Sequence, residues 1–575
     1  MRKTAIILTV LLLLATAAYL FLRYYLLRAP DYRPDLSKAR SALDLRPVLI
    51  AKLQQIVKDG SGGLYRLSVD SLEPHLSDET LVLVNVKIRA DSSVLNALDS
   101  MRQAPDDVYA IACRKITLEG LGIADLVNTR HINLQCIRIS YPEWTVYRKL
   151  RSYHTAVKPS PDTMGLYRRM AKHFVHAAVD SILVDHGIFV GRNLSQPDRD
   201  TRFDHISVSL KNILIDSLAA ADQNRFLFSE KAAISCGRMQ KRTADSLYLF
   251  TIDSFLLDTK ARKLTALGLS LLPRGSRAFF RKNRRYRGNR FEIRAPRLVL
   301  SNMHWRQLLD NGVLQCAVMD VYGGYLNDFV DGSLPARPRI HTDNFPYQAL
   351  RKLFLPLNIP RVNIRGFRVA YSEYYAPSDR SGTLYFDGIN GRIDNLISTP
   401  GAAARGRWCA LDARTRFMHS IPGRIRMRFD MNRYRSGVYE VDIRTGGFDG
   451  TLLNPLTENL GLFTIKQGMA DSCRIAIRGD NDRTTATVNM QYHDLHITAL
   501  KKKDGEDALK KKRFTNFFMN LFVIKNSNPG KNEPVREPVF TLDRDNRMSF
   551  FNFSWRVMRH GIMSTVGIPE RLIPK

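Results

Sequence analysis

Two pairs of histidines come nearest to the spacing of a metal site in this chain. His493 and His496 lie three residues apart in a segment whose alternation predicts a strand, so they point to opposite faces of a sheet. His173 and His176 share one face of a predicted helix, yet no nearby carboxylate or cysteine completes a ligand set. The six cysteines show no CxxC spacing, and disulfides between distant pairs stay open. The sequence therefore predicts no metal and no cofactor.

Sequence signatures of catalysis are missing as well. The segment GLGIAD at 120–125 lacks the third glycine of a dinucleotide loop. The sequence contains no GxSxG, HExxH or P-loop motif. We therefore expect a protein that is not an enzyme.

The segment from Arg274 to Arg290, RGSRAFFRKNRRYRGNR, holds eight Lys or Arg residues and no acid. Arginines interleaved with aromatic rings suit an anionic membrane surface, where each basic residue contributes on the order of 1 kcal/mol. RNA would fit equally well, and a solvated loop is the plainest alternative. The residues predicted to contact a membrane surface are Arg277, Phe279, Phe280, Arg281, Arg284, Arg285 and Arg287.

The composition also favours an anionic partner. The chain has 87 Lys and Arg residues and 55 Asp and Glu residues, which gives a formal charge of +32. A positive charge of this size suits lipid head groups or nucleic acid as a partner. A basic bias of the whole proteome would produce the same charge. Hydrophobic residues at 44% exclude wholesale disorder.

The N-terminal segment predicts a membrane anchor. Residues 4–22 carry no charge and are long enough to cross a bilayer as a helix, and Arg2 and Lys3 precede them. The small residues at 15–17 leave cleavage as an alternative, but the apolar run continues beyond them. We expect an uncleaved signal anchor over 1–28, in an inner membrane, with the body of the chain in the periplasm. Arginines at 23, 28 and 33 run against the positive-inside rule for that orientation.

An internal duplication organises the rest of the chain. FDHISVSLKNI at 203–213 and FDGINGRIDNL at 386–396 share Phe-Asp, an apolar fourth residue and a tenth-position Asn, 183 residues apart (386 − 203). Three further blocks recur in the same order at nearly the same spacing. We therefore predict two β-rich repeats, 64–218 and 247–398, each with a helix, at 167–174 and at 347–354. The stretch of the first repeat that matches the basic segment, near 92–108, carries Asp99, Asp106 and Asp107 instead.

A linker or helix over 29–63 precedes the repeats, and a third β-rich section with terminal helices is predicted over 405–575. In RIRMRFDM and ATVNMQY apolar residues alternate with polar ones, which predicts half-buried antiparallel strands with Arg424, Arg426 and Arg428 on the polar face. The apolar face, predicted to line a lipid groove, carries Ile425, Met427, Phe429, Met431, Ala486, Val488, Met490 and Tyr492.

A sheet with one apolar face must cover it with a sheet, with helices or with another molecule. Few helices are predicted, so the sheets either fold onto each other around a dry core or leave a groove for acyl chains. Periodicity alone does not separate the two. We expect a mostly β fold: an N-terminal transmembrane helix, then an elongated, curved antiparallel sheet built from repeats, with an open groove and a few short helices.

The block IPRVNIRGFRVAYSEYYAPSDRSGTLYFDGINGRIDNL at 359–396 resembles the repeat of AsmA-like proteins of Gram-negative envelopes, particularly those of Bacteroidetes. The C-terminal segments FTNFFMNLFVIKNSNP and FFNFSWRVMRHGIMSTVG extend the resemblance, which covers most of residues 40–567. It implies an inner-membrane anchor, a periplasmic body and a β-groove that holds phospholipid for outer-membrane lipid balance. The chain is short for that family, and Gly191-Arg192-Asn193 in the first repeat replaces Tyr371-Ser372-Glu373 of the second.

Three functions follow as expectations. The first is a membrane-anchored, non-catalytic lipid-binding or lipid-transfer protein, whose partners are phospholipid and the inner membrane. The second is a structural or scaffolding protein of the envelope with dry cores. The third, a nucleic-acid-binding protein, requires a cytoplasmic body, so no nucleic acid is expected for the periplasmic orientation.

Overall fold

The computed structural model describes residues 46–120, 131–153, 176–195, 200–222, 224–226, 228–243, 245–335, 345–351, 353, 355–399, 406–502, 509–511, 524–545, 547–570 and 573. Strands account for 58% and helices for 16%, and one large mixed sheet holds 25 strands. The predicted mostly β fold is confirmed. The predicted span 4–22 and the predicted helix 167–174 lie outside the described residues. Within the described part, no helix is both long and apolar enough to cross a bilayer.

The helices are short and separate the strands. They are α1 Arg46–Gly60, α2 Ser92–Ser100, α3 Ser217–Ala221, α4 Arg277–Lys282, α5 Trp305–Asp310, α6 Pro346–Arg351, α7 Asn454–Leu456 and α8 Phe550–Thr565. Short 3-10 helices occur at Leu76–Asp78 and Gly450–Leu453, and a short π-helix occurs at Thr457–Gly461. The helix predicted over 347–354 is present as α6.

The strands of the first half are β1 Tyr65–Ser68, β2 Ser71–His75, β3 Thr80–Ala90, β4 Asp107–Glu119, β5 His131–Arg148, β6 His176–Asn193, β7 Thr201–Ile215, β8 Ser229–Cys236, β9 Met239–Arg242, β10 Tyr248–Ile252, β11 Ser254–Asp258 and β12 Lys263–Pro273. Those of the second half are β13 Asn289–Ser301, β14 Leu314–Gln315, β15 Val318–Tyr322, β16 Tyr325–Asp331, β17 Leu357–Tyr375, β18 Arg380–Ile397, β19 Trp408–Phe417, β20 Ile421–Asp430, β21 Tyr439–Thr445, β22 Phe448–Asp449, β23 Phe463–Gly479, β24 Arg483–Lys502, β25 Leu509–Lys511 and β26 Val539–Asp543.

The chain divides into two compact units. Unit 1 contains the described residues up to Ser246, with Phe250–Leu267 and Asn302–Gly312. Its core gathers apolar side chains of β1–β8 around Leu53 of α1. Unit 2 contains Leu247–Leu249, Gly268–Ser301 and the chain from Val313 onward. Its largest core lies between strands β19–β26 and helix α8.

The predicted antiparallel sheet is wrong in one respect, because the sheet is mixed. In unit 1, β5 pairs with β6 in parallel. In unit 2, β15 and β16 pair with β17 in parallel, and α6 lies in the crossover between β16 and β17. Parallel neighbouring strands must be joined by a long crossover connection. The alternation of apolar and polar residues in a strand shows only which face of the sheet each side chain occupies. The sequence pattern therefore could not reveal strand direction.

The two repeats share their order of elements and their irregularities. Two short strands, an 11-residue strand, a helix and a 13-residue strand follow one another in both. The two long hairpins β6–β7 and β17–β18 are bulged at matching places. Asn212 and Asn395, the tenth residues of the duplicated frame, both have a positive φ, at 53° and 60°. Asparagine tolerates that left-handed conformation, which explains why this residue recurs. Superposition of the repeats stays a prediction.

Candidate functional site

The residues predicted to line a lipid groove occupy two environments in unit 2. Five are buried by protein: Phe429, Met431, Ala486, Val488 and Tyr492. Ile425, Met427 and Met490 are half-buried. The expected open groove is therefore replaced by a protein core at the five buried positions.

Helix α8 belongs to the core that contains four of these residues, Phe429, Met431, Ala486 and Val488. The Oγ of Ser549 accepts a hydrogen bond from the backbone N–H of Asn552 and so caps the first turn. Phe550, Phe553 and Val557 follow at helical spacing and are buried against the strands. Each contributes roughly 1.5–3 kcal/mol by leaving water. A Cβ at Gly561 would collide with Val488, so the helix approaches β24 as closely as glycine allows.

The apolar face continues at the edge of this core, where half-buried side chains such as Ile393, Met427 and Ile443 pack against it. Ile393 of β18 is in register with Leu411 of β19, which is in register with Met427 of β20. Ile425 is likewise in register with Ile443 of β21. We call this the apolar stripe; its half-buried members are Ile364, Ile393, Leu411, Ile425, Met427 and Ile443.

The opposite face of these strands is charged, as predicted for Arg424, Arg426 and Arg428. Arg424 donates two hydrogen bonds to Asp412, at 2.8 and 2.6 Å, and Arg426 contacts the same carboxylate at 3.3 Å. The bond from Arg424 holds the pKa of Asp412 below its usual range. Arg428 pairs with Glu440. Ion pairs across neighbouring strands thus balance much of the basic charge on this face.

The predicted membrane-contact segment is folded rather than an open loop. Ser276 caps α4 by accepting the N–H of Phe279, and Phe280 is buried. Arg281 donates to the Asp331 carboxylate at 2.9 Å, and the guanidinium of Arg277 lies 3.9 Å from the ring centre of Phe329. These contacts hold the helix on the sheet.

The arginines after α4 also make internal contacts. Arg284 donates to the carbonyl oxygen of Asn289 at 2.8 Å, and Arg287 donates to the carbonyl oxygen of Gly332 at 2.7 Å. Arg285 lies over the ring of Tyr286. Phe279 is 42% exposed, so it is the aromatic of this segment best placed to meet a surface. Membrane contact by these residues stays a prediction.

A buried polar network joins this segment to helix α8. Asn289 donates from its amide to Asp328 at 2.6 Å, and the Asp328 Oδ1 has no hydrogen-bond partner among the described residues. Asn552 donates to the Tyr371 hydroxyl at 2.8 Å and to Glu373 at 3.2 Å. Burial raises the pKa of Asp328 to about 7 and also raises the pKa of Glu373. Both carboxyl groups are therefore easier to protonate than in water.

A cavity of about 380 Å³ lies beside this network in unit 2. Three arginines contribute to its wall, and one carboxylate accompanies them. Asn289 and Ser549 link the cavity to the network, since the amide of Asn289 also donates to the Ser549 hydroxyl at 3.3 Å. The charged lining residues are Arg287, Asp545, Arg547 and Arg556.

Sequence reasoning missed this cavity and its network. The contributing residues come from four distant segments, and none forms a motif. The one available signal was the replacement of Gly191 by Tyr371 between the repeats. In the described residues, no group of three His, Cys, Asp or Glu is arranged to hold a metal. His493 lies 3.3 Å from Asp471, and all six cysteines are buried free thiols.

No protein-family model matches the chain, and no curated protein matches its sequence. The resemblance to AsmA-like proteins therefore stays a prediction.

Proposed function

We propose that the chain is a non-catalytic lipid-binding protein of the cell envelope, anchored in the inner membrane by residues 4–22 and carrying its body in the periplasm. Its role would be to hold or transfer phospholipid for outer-membrane lipid balance. The apolar stripe is the observation that carries this proposal.

Several properties of the stripe support acyl-chain binding. Its members lie on one face of β17–β21 in two neighbouring registers, one with Ile393, Leu411 and Met427 and the other with Ile364, Ile425 and Ile443. Half-buried side chains retain apolar area whose removal from water contributes about 25 cal/mol per Å². An acyl chain laid along this row would bury that area without forming any directed bond.

Native mass spectrometry of the purified full chain tests the proposal. The wild type should carry co-purified phospholipid, and Ile425→Asn should lower the bound fraction several-fold because it places an amide in the stripe. Arg426→Asn is the matched control, because the neighbouring residue on the same strand faces the charged side. A wild type without lipid, or equal lipid in both variants, contradicts the proposal.

The core under α8 favours a second candidate, a scaffolding protein with dry cores. Val488 is fully buried and contacts the helix where Gly561 leaves room. If this packing extended over the whole face in solution, no lipid site would be left. Hydrogen exchange separates the two candidates: added phospholipid should slow exchange in β19–β20 for a lipid binder and leave it unchanged for a scaffold.

A further inference from the structure

Four arginines form a row across the charged face of unit 2. Arg414 of β19 is in register with Arg424 of β20, which is in register with Arg444 of β21. Arg444 is in turn in register with Arg474 of β23. Since neighbouring strands lie about 4.8 Å apart, the four positions extend over roughly 14 Å. We call Arg414, Arg424, Arg444 and Arg474 the arginine row.

Stability does not explain the arginine row. Like charges directly opposite each other on neighbouring strands repel, whereas opposite charges stabilise the pair. The next register on the same face follows that rule, because the sign changes at each step through Arg392, Asp412, Arg426 and Asp442. The arginine row breaks the rule on the same strands. Departures of this kind are expected at functional sites.

Two carboxylates of the next register contact the row. Asp442 accepts from Arg444 at 2.7 Å and from Arg474 at 3.0 Å. Asp412 accepts two bonds from Arg424, at 2.8 and 2.6 Å. Each of these carboxylates carries one negative charge, so two of the row's four positive charges are balanced.

The remaining charge of the cluster is positive. Arg426 also contacts Asp412, at 3.3 Å, so it adds a cation without adding an acid. Among the described residues, Arg414 has no ion-pair partner. The arginine row and Arg426 together hold five guanidinium groups against two carboxylates, an excess of three positive charges (5 − 2).

The arginine row is accessible to a partner. The side chains of Arg424, Arg444 and Arg474 are 42%, 53% and 56% exposed, and Arg414 is exposed as well. All four lie on paired strands, which hold side chains more precisely than loops do. The charge is therefore both exposed and fixed in position.

Acids farther along the strands reduce this charge without reversing it. Asp387 contacts His419 at 2.8 Å and is in register with the exposed Arg416, which offsets it. Asp471 contacts His493 at 3.3 Å. Even with Asp471 counted as a full negative charge, the surface keeps an excess of two positive charges (3 − 1).

The surroundings of the row favour phosphate groups over the bases of a single-stranded nucleic acid. Proteins that bind single strands stack the bases on aromatic side chains among the cations. On a strand, the neighbours of a residue on its own face lie two positions before and after it. For the arginine row none of these neighbours is aromatic: they are Asp412, Arg416, Pro422, Arg426, Asp442, Gly446, Ser472 and Ala476.

We propose that the arginine row docks on the surface of a bilayer that contains anionic phospholipid, with its guanidinium groups on the lipid phosphates. Guanidinium groups match phosphate oxygens in geometry and charge. The negative potential of such a surface attracts clustered basic residues. The inference goes beyond the proposed function and does not rest on it, because the apolar stripe lies on the opposite face of these strands.

Vesicle binding to the full chain, immobilised through a C-terminal tag, tests the docking surface. The wild type should bind vesicles of mixed phosphatidylglycerol and phosphatidylcholine more tightly than vesicles of phosphatidylcholine alone. Arg414→Gln should weaken the binding of the mixed vesicles about five-fold, and the triple change to Gln at 414, 444 and 474 about a hundred-fold. The N-terminal segment is the same in every variant, so any binding by it cancels in the comparison.

Arg433→Gln is the matched control, because this exposed arginine lies beyond the end of β20 and outside the row. It should bind the mixed vesicles as the wild type does. Should the triple variant fail to melt cooperatively, Arg414→Gln supplies the comparison, since it removes no ion pair with a described residue.

Equal binding of the mixed vesicles by the wild type, Arg414→Gln and the triple variant overturns the proposal. Binding of polyuridine RNA that the triple variant loses, without binding of the mixed vesicles, would replace the membrane by nucleic acid as the partner. Ile425→Asn should leave vesicle binding unchanged while it lowers the co-purified lipid, so the two proposals fail separately.

Discussion

The same corner of the fold is apolar in the first repeat and polar in the second. Val146 of β5 is paired with Gly191 of β6, and Asp328 of β16 is paired with Tyr371 of β17, at offsets of 182 and 180 (328 − 146 and 371 − 191). Val146 is 1% exposed and Asp328 is 2% exposed. One position is thus equally buried in both repeats but holds a methyl-bearing side chain in one and a carboxyl group in the other.

The polar network is therefore an addition to the repeat. Burying a carboxyl group costs several kcal/mol unless hydrogen bonds or protonation compensate. Repeat 1 folds without that cost, so the architecture does not need Asp328. The network occurs where α8 packs and where the cavity lies, which ties it to that site.

A second contrast concerns the helix that follows the third strand of each repeat. In repeat 1 the acid is on the helix, where Asp99 of α2 accepts from Lys149 at 3.0 Å and from Arg151 at 2.9 Å. In repeat 2 the base is on the helix, where Arg281 of α4 donates to Asp331 at 2.9 Å. Both repeats therefore form an ion pair between this helix and a later segment, but the acid and the base exchange places. The basic segment thus includes a structural pair that the first repeat makes with opposite signs.

The largest effect is expected from moving the acid into repeat 1. Val146→Asp places a carboxyl group in a core that lacks the Asn289 partner, and should cost more than about 4 kcal/mol. The mirror change, Asp328→Val, removes a buried acid and should cost less than about 1 kcal/mol. Hydrogen exchange of β5 and β16 measures both. Equal losses would show that the two corners are not equivalent.

The pH dependence of stability is the next test of the contrast between Asp328 and Val146. The pKa of Asp328 is about 7 in the folded chain and roughly 3.9 in an unfolded one. The folded state therefore binds an extra proton between these values. The stability that protonated Asp328 contributes is fully present below about pH 4 and is lost as the pH rises through about 7.

Asp328→Asn removes this proton and isolates the effect. The stability of the wild type minus that of the variant should fall by up to about 1.4 kcal/mol per pH unit over this range. Urea unfolding at several pH values gives the difference, in which titrations of other carboxyl groups cancel. A difference that is flat from pH 4 to pH 7 would mean that Asp328 is not protonated on folding.

Breaking the exchanged ion pair should have a smaller effect. Asp331→Ala removes a nearly buried carboxylate that accepts bonds from Arg281 and Ser333, and should cost about 1–3 kcal/mol. Arg281→Ala should cost below about 1 kcal/mol, because the arginine is 52% exposed and Ser333 still bonds the acid. Thermal unfolding monitors both; the reverse ranking would contradict this account of α4.

The smallest effect is expected at the exposed pair of repeat 1. Arg148 donates to Asp107 through two bonds of 2.8 and 2.9 Å, and the two side chains are 36% and 22% exposed. Arg148→Ala should therefore cost only about 0.2–1 kcal/mol, with most of it lost at high salt. A loss comparable with that of Asp331→Ala would make this pair part of the core.

The sequence by itself predicted the duplicated frame, the two faces of β20 and β24, and the charged face that carries Arg424, Arg426 and Arg428. These features follow from local rules: a period of two assigns faces, and an asparagine with positive φ recurs at the same position of both repeats. The burial of Val488 depends on residues that are distant in the sequence. Its cover comes from Val557 and its neighbours, nearly seventy residues along the chain (557 − 488).

Strand direction and the cavity likewise needed the tertiary structure. A crossover makes β16 and β17 parallel, and no alternation of side chains records it. Asn289, Asp328, Tyr371 and Asn552 converge only because the sheet and α8 bring four segments together. Burial and charge at a site are sums over such neighbours, whereas periodicity is a property of one segment. That is why the faces were predictable and the polar site was not.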